Sequence, residues 1–251
     1  MSKTMPLSAH FEELRKRLIT SLVFLSGTSL LSFIFRKNLF HIISYPHDWV
    51  MGKLNLESKL YVLNYQDNFM IQFKICLIFG LFLALPFLSY QLYKFIGEAL
   101  SIIERKIVFL NFPLFFGLFI LGCLFGYYYL IPASLLFLMS FGKDLGLTPM
   151  INFSDYTSLF FLFTFVTGLV FELPLIMMIV ARLGLFKAKD FRGKRKFAIL
   201  IAFIVGAILT PPDPVSQIIL AFCLILLYEL GCILAYFVER NKSKICEQTT
   251  S

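Results

Sequence analysis

The sequence predicts an all-α integral membrane protein with six transmembrane helices, forming one polytopic membrane domain over residues 1–251. Its composition is 59% hydrophobic and only 15% charged, and its mean hydropathy is +0.81. A soluble domain carries roughly 45–50% apolar and about 25% charged residues. The apolar residues stand in long blocks, and the alternation of a membrane β-barrel is absent. These observations together indicate a helical membrane protein.

Six apolar segments define the predicted spans: Leu18–Phe35, Ile75–Tyr93, Val108–Ile131, Tyr156–Leu185, Phe197–Thr210 and Val215–Val238. A bilayer core of about 30 Å requires roughly 20 helical residues. The fifth segment has only 14 residues and would extend about 21 Å. We expect both of the last two helices to be short.

The distribution of basic residues predicts the orientation. Of the 23 Lys and Arg residues, 17 lie in the N-terminal stretch, the second and fourth loops and the C-terminal tail. The positive-inside rule then places both termini on the cytoplasmic side, or on the stromal or matrix side in an organelle. Because the basic residues cluster at the ends of apolar segments, the net charge of +8 indicates lipid headgroups and not nucleic acid.

Motifs for catalysis and for metal or nucleotide binding are missing. The sequence has no HExxH, GxSxG or Walker A pattern, and its three histidines are scattered. None of the five cysteines forms a CxxC pair. We therefore expect neither an enzyme nor a bound cofactor or metal.

The stretch FEELRKRLI, residues 11–19, precedes the first apolar segment and combines acidic with basic residues. Glu13 and Arg17 have the i, i+4 spacing of a helical ion pair, which contributes only about 0.2–0.5 kcal/mol. One interpretation is an amphipathic lead-in helix with surface ion pairs. The other is a binding site.

A second acidic residue, Glu104, occurs in SIIERKIV before the third segment. If the first and third segments are neighbours, Glu13 and Glu104 share one face of the membrane. Two carboxylates there would suit guanidinium groups, which bind carboxylates through paired hydrogen bonds.

Glu172 lies near the middle of the long fourth segment, in VFELPLI. A charged residue there costs about 2.5–3.5 kcal/mol on insertion scales, and such residues are usually functional. Pro174 predicts a kink nearby. A carboxyl group that only stabilises packing is the alternative, and Glu229 in the sixth segment raises the same question.

The turn LTPPDPVSQ joins the fifth and sixth segments. Asp213 is placed to cap the last helix, because Pro214 suits a first helical position. Thr210 and Gln217 flank the turn and offer polar groups at shallow depth in the membrane.

Several motifs together resemble the TatC family, the multispanning subunit of the twin-arginine protein translocase. The resemblance extends from about Leu7 to Phe237, and its motifs occur in the same order: FEELRKRL, SYP, LPFLSYQLYKFIGEAL, IIERK, FELP and LTPPDPVSQIILA. Each motif is weak alone, but their order together with six spans is specific.

The resemblance implies a cupped helical bundle and a role for each matching residue. Glu13 and Glu104 would receive the paired arginines of a signal peptide, with Arg17 and Phe95 beside them. Pro46 would belong to an extracytoplasmic cap. The remaining matches are the intramembrane Glu172 and a docking patch for single-span partner subunits, formed by Thr210, Gln217 and Asp213.

By the same resemblance, the expected function is that of a translocase core that binds twin-arginine signal peptides of folded cargo. Its partners would be TatA- and TatB-type single-span subunits, membrane lipids and further copies of itself, and the proton gradient would drive transport. The expected location is the bacterial inner membrane, or the thylakoid or mitochondrial inner membrane. The alternative function is a small proton-coupled secondary transporter that uses Glu172.

Overall fold

The computed structural model describes residues 7–99, 111–144 and 150–249, and nearly all of them are helical. The first half contains α1 (Leu7–Ile34), α2 (Arg36–Leu54), β1 (Leu60–Tyr61) and α3 (Tyr65–Ala99). The elements that follow are α4 (Phe112–Phe125), a π-helix (Gly126–Leu130), α5 (Ile131–Asp144), β2 (Ile151–Asn152), α6 (Phe153–Phe171), α7 (Leu173–Leu183), α8 (Ala188–Gly193), α9 (Arg195–Leu209) and α10 (Pro214–Thr249).

Five stretches within the described residues are long and apolar enough to cross a membrane: Phe11–Ile34, Tyr65–Gln91, Phe112–Ser140, Phe153–Leu183 and Pro214–Arg240. They match five of the six predicted segments. The remaining prediction, the fifth segment Phe197–Thr210, falls on α9, which is apolar but has 15 residues, fewer than the roughly 20 that an ordinary bilayer needs. The count of six spans therefore stays a prediction.

The expectation that both of the last two helices are short was wrong for α10. That helix has 36 residues, and its apolar stretch of 27 residues is sufficient to span a bilayer. Its apolar run has no proline after Pro214, so each residue keeps its backbone N–H for the helix up to the polar C-terminal turns.

Packing divides the described residues into two compact units. The first contains residues 7–45, 59–99, 111–112 and 150–158, and the second contains 46–58, 113–144 and 159–249. The prediction of a single domain is neither supported nor opposed by this division, which follows local packing density.

In the first unit, α1 packs along α3. Gly80 makes this possible, because a Cβ there would lie 2.6 Å from the Ser29 Cα atom. The Thr28 hydroxyl donates to the Gly80 carbonyl at 2.9 Å, and the rings of Phe24 and Phe87 stack with centroids 4.2 Å apart. The pairing of the two helices thus rests on one close backbone approach and a flanking aromatic stack.

The start of α6 is joined to the same unit by polar contacts. Strands β1 and β2 pair in parallel. The buried Tyr156 hydroxyl donates to the Ile43 carbonyl at 2.6 Å. Lys74 on α3 donates to the Ser154 and Ser158 hydroxyls at 3.2 and 3.1 Å. These polar groups lie near the end of a membrane span, where an unpaired polar group would be costly, and the bonds give each of them a partner.

In the second unit, α7 packs against α10. At Gly231 a Cβ would meet the Met177 sulfur at 2.5 Å and the Pro174 Cα at 3.2 Å. A larger residue at this position would require Met177 and the backbone at Pro174 to shift. The helix is interrupted where a kink was predicted, since α6 ends at Phe171 and α7 starts at Leu173, with Glu172 at the break.

Candidate functional site

The acidic stretch before the first span lies at the N-terminal end of α1, in the first unit. Glu12 is exposed, whereas Glu13 is half-buried, with its side chain 17% exposed and that of Arg17 12% exposed. The Arg17 Nε donates to Glu13 Oε1 at 2.6 Å, and its Nη2 contacts the same oxygen. The structure therefore distinguishes the two glutamates by burial.

Helix α3 supplies the other side of this site. The Gln91 Oε1 accepts from Arg17 Nη1 at 3.5 Å, so the arginine is held between its own helix and the next span. Phe95 is half-buried one helical turn beyond Gln91. Gln91 was not predicted, since an isolated amide in LSYQLYKF gives no signal before the packing of α1 on α3 is known.

Glu104, the second predicted carboxylate, lies outside the described residues. What the structure places together is therefore Glu13, Arg17 and Gln91, with Phe95 one turn further along α3. Because Arg17 already binds Glu13, an incoming guanidinium at Glu13 would share or replace an existing charge-assisted hydrogen bond. The arrangement can hold a carboxylate in a fixed position at the membrane face.

Glu172 is buried in the second unit, at 2% exposure. No side chain in the part of the chain that the structure describes donates a hydrogen bond to either of its carboxylate oxygens. A cavity of about 410 Å³ lies beside this helix break and is lined only by apolar side chains: Val166, Leu169, Val170, Leu173, Ile176, Met177, Leu209 and Leu224. A carboxyl group in such surroundings is costly to ionise, which suits a group that carries a proton.

The turn before α10 holds a buried carboxylate. Asp213 is 2% exposed and accepts hydrogen bonds from the Ser216 backbone NH and hydroxyl, each at 2.6 Å, and from the Ser134 hydroxyl at 2.9 Å. The predicted helix cap is confirmed. The capping partner Ser216 follows from its spacing, but Ser134 is 79 residues away and left no local signal.

The two residues that flank Asp213 differ in exposure. Thr210 is buried, and its hydroxyl donates to the Gly206 carbonyl at 2.9 Å. Gln217 is half-buried, and its Nε2 reaches the Phe203 carbonyl at 3.4 Å. Of the predicted docking residues, Gln217 therefore presents the most available polar group.

Pro46 lies buried within α2, and its predicted place in an extracytoplasmic cap stays a prediction. Next to it, His47 is buried in a polar cluster with Asp48 and Ser58. The Ser58 hydroxyl donates to Asp48 Oδ1 at 2.5 Å and lies 3.2 Å from His47 Nδ1. Burial lowers the pKa of His47 below 6.5, and the hydrogen bond and charge of Asp48 oppose this shift.

Comparison with known proteins decides the family. The family model described as "Sec-independent protein translocase protein (TatC)" matches residues 9–223. The chain belongs to the TatC family. It is therefore a membrane-embedded subunit of a Sec-independent, twin-arginine protein translocase.

Individual TatC proteins match over almost their full length. The TatC of Carboxydothermus hydrogenoformans is 33% identical over 238 residues, which cover 94% of this chain and 95% of that protein. The TatC of Aquifex aeolicus is 35% identical, with coverage of 96% and 99%. A crystal structure of the twin-arginine translocase receptor TatC superposes with a TM-score of 0.77 at 32% identity, covering 91% of this chain and 99% of that one. Sequence and fold thus agree on TatC.

Proposed function

We propose that the chain is the signal-peptide receptor of a twin-arginine translocase. The observation that carries this proposal is the half-buried Glu13, held by Arg17 against Gln91 at the start of the first span. A carboxylate fixed in this way is ready to exchange its guanidinium partner for an arginine of a signal peptide. Each charge-assisted hydrogen bond contributes about 1.5–3 kcal/mol.

The proposed receptor site includes Glu104 as the second carboxylate, on the strength of the IIERK motif, and Phe95 as an apolar contact. Two consecutive arginines would then find two carboxylates and one aromatic ring, which can stack on a guanidinium. The proposal places this site, and both termini, on the cytoplasmic, stromal or matrix side.

We further propose that Glu172 and the turn before α10 act after the signal peptide has bound. Gln217 would contact an incoming single-span subunit of the TatA or TatB type, while Asp213 and Thr210 hold the turn in shape. The short α9 would thin the bilayer locally, since mismatch costs only fractions of a kcal/mol per Å. Transport driven by the proton gradient is consistent with a buried carboxyl group at position 172.

The alternative, a small secondary transporter that uses Glu172, is disfavoured. Glu172 is buried, as a transporter of this kind would require, but the cavity beside it has only apolar lining residues. Such a lining offers a polar solute no hydrogen bonds. The family is one of protein translocases.

The test is site-specific photo-crosslinking of a twin-arginine signal peptide to membranes that contain the full chain. We expect Glu13→Ala combined with Glu104→Ala to reduce crosslinking at least about tenfold, because two charge-assisted interactions are lost. Glu12→Ala is the matched control, since it removes the adjacent exposed carboxylate and should leave crosslinking unchanged. Normal crosslinking in the double variant would exclude this receptor site.

A further inference from the structure

A second cavity, in the first unit, has a polar rim that the proposed function does not use. Its volume is about 440 Å³, and its lining residues come from α2, α3, the segment around β1, and α6: Arg36, Lys37, Phe40, His41, Val62, Asn68, Ile71, Gln72, Ile75 and Phe153. None of these ten lining residues, all of them described by the structure, is acidic. The cavity therefore favours an anionic ligand.

The cavity lies at the membrane boundary opposite to the N-terminal end of α1. The first candidate span ends at Ile34 and the next begins at Tyr65, so Arg36 stands just outside the first span and Asn68 one turn inside the second. This position does not depend on which side of the membrane is cytoplasmic.

Polarity along the cavity changes in one direction. Arg36 and Lys37 are exposed cations at its outer end, and the amides of Asn68 and Gln72 follow at successive turns of α3. The buried Ile71 and Ile75 form the inner wall. A phospholipid has the same order of groups, from phosphate through ester carbonyls to acyl chains.

Contacts with α1 position the Arg36 side chain. The Arg36 guanidinium lies 4.5 Å from the centroid of the Phe33 ring, and its Nη1 donates to the Phe33 carbonyl at 3.4 Å. These contacts hold the guanidinium at the last turn of α1, and a phosphate would bind the N–H groups that they leave open. The loop of residues 36–74 carries five Lys and Arg residues but only three Asp and Glu residues. That positive excess is found on the side where the positive-inside rule expects fewer cations.

We propose that this cavity binds the headgroup of an anionic phospholipid, with the phosphate at Arg36 and Lys37 and the first acyl carbons against Ile71, Ile75 and Phe153. A free phosphate ion would use the cations but not the apolar wall. A neutral phospholipid would use the wall but gain little from two cations. The bound lipid would join α2, α3 and the start of α6 at one membrane face.

The test is lipid retention by the purified full-length chain in detergent, measured by native mass spectrometry during titration with dioleoylphosphatidylglycerol or dioleoylphosphatidylcholine. We expect the wild-type chain to retain the anionic lipid preferentially. Arg36→Gln combined with Lys37→Gln should weaken its binding about thirtyfold, since each basic residue near anionic lipid contributes a factor of about five.

Three controls make the result specific. Lys53→Gln with Lys59→Gln removes the same charge from the same loop but outside the cavity, and should retain the lipid as the wild type does. Arg36→Lys with Lys37→Arg keeps both cations and should also retain it. Each variant is compared with the wild type by size exclusion and thermal unfolding without added lipid, so that misfolding is recognised.

The proposal is overturned if the Arg36 and Lys37 double variant retains phosphatidylglycerol as well as the wild type, if phosphatidylcholine is retained equally, or if the Lys53 and Lys59 variant loses it to the same extent. Glycerol phosphate at millimolar concentration should not displace the lipid. Displacement would overturn the proposal, because it would show that the site binds the phosphate group without the acyl chains. Signal-peptide crosslinking serves as a separate readout, because the cavity lies outside the proposed receptor site.

Discussion

Glu13 and Glu12 show how burial separates two neighbouring residues of the same type. Both have a basic residue four positions later, at Lys16 and Arg17, so local spacing treats them alike. Only Glu13 faces α3, where Gln91 supports its partner Arg17. Glu12 is an exposed surface residue, whereas Glu13 is half-buried and holds its ion pair against a second helix.

Glu172 is expected to act through protonation. Glu172→Gln keeps the shape of the side chain but cannot take up or release a proton, and it removes any cost of a buried charge. We therefore expect unchanged or higher thermal stability, with protein transport reduced at least about tenfold. The measurements are thermal unfolding of the purified chain and a transport assay in membrane vesicles.

Signal-peptide crosslinking should stay near the wild-type level in the Glu172→Gln variant. Leu173→Ala, at the adjacent cavity-lining position, is the control for packing, and it should lower stability more than transport. Lost crosslinking in Glu172→Gln would show that binding and proton transfer are not separate roles.

His47 predicts a dependence of stability on pH. Burial lowers the pKa of His47 in the folded state below 6.5, its ordinary value in the unfolded chain. At a pH between the folded and unfolded pKa, the unfolded chain therefore binds more protons. Stability is then complete above about pH 6.5 and falls as the pH decreases towards the folded pKa. We expect His47→Gln to flatten this acid-side loss, measured as the unfolding midpoint from pH 7 to pH 5. The exposed His41, changed to Gln, is the control, and an equal effect of both variants would contradict the assignment.

At the scale of elements, the turn between α9 and α10 depends on one carboxylate. Asp213→Ala removes the helix cap and leaves the Ser134 hydroxyl without its acceptor, so we expect a loss of roughly 1–3 kcal/mol in unfolding free energy. Asp213→Asn keeps the capping oxygen and should lose less. Chemical denaturation of the detergent-solubilised chain measures both.

Ser134→Ala completes a double-mutant cycle with Asp213→Ala. We expect a coupling energy of about 1 kcal/mol, in the range found for contacting residues. Additive effects would mean that the bond between α5 and the turn contributes nothing to stability.

Two helix interruptions have different causes. At Glu172 the chain breaks because Pro174 cannot donate a backbone hydrogen bond within the helix. At residues 126–130 the π-helix widens the turn, and a Cβ at Gly126 would lie 3.0 Å from the Phe163 carbonyl. Pro174 allowed the first interruption to be predicted from the sequence. The π-helix could not be predicted in this way, because it depends on the close approach of α6.

For the whole molecule, orientation is the property to test. The distribution of basic residues predicts that position 53 and position 189 lie on opposite sides of the membrane. We expect Lys53→Cys to react with an impermeant thiol reagent only from the extracytoplasmic side, and Lys189→Cys only from the other. Both are made in a chain whose five native cysteines are replaced by alanine. Labelling of both positions from one side would refute the orientation.

Helix α1 shows that a membrane-spanning helix can be stable with little of its surface packed against the rest of the chain. Only 6% of its most apolar window is buried within the described structure, although its outward side chains are strongly hydrophobic. Lipid or partner helices can cover such a surface, because the bilayer core is itself apolar. The exposed apolar face is thus expected for a membrane helix.

The sequence alone determined the membrane class, five of the candidate spans, the break near Pro174, the cap at Asp213 and the TatC resemblance. These properties depend on composition and on residues a few positions apart, so they are visible in a linear chain. The sequence also favoured Glu13 over Glu12 as a site residue, through the resemblance of FEELRKRL to the TatC family.

The tertiary structure alone decided which residues of distant elements meet. It placed Gln91 beside Arg17, Ser134 on Asp213, the Tyr156 hydroxyl on the Ile43 carbonyl, and two basic residues over the apolar wall formed by α3. Such contacts join positions that are tens of residues apart, and their formation depends on how helices pack. Hydrophobic periodicity specifies that a helix crosses the membrane, but it does not specify which neighbour each face will contact.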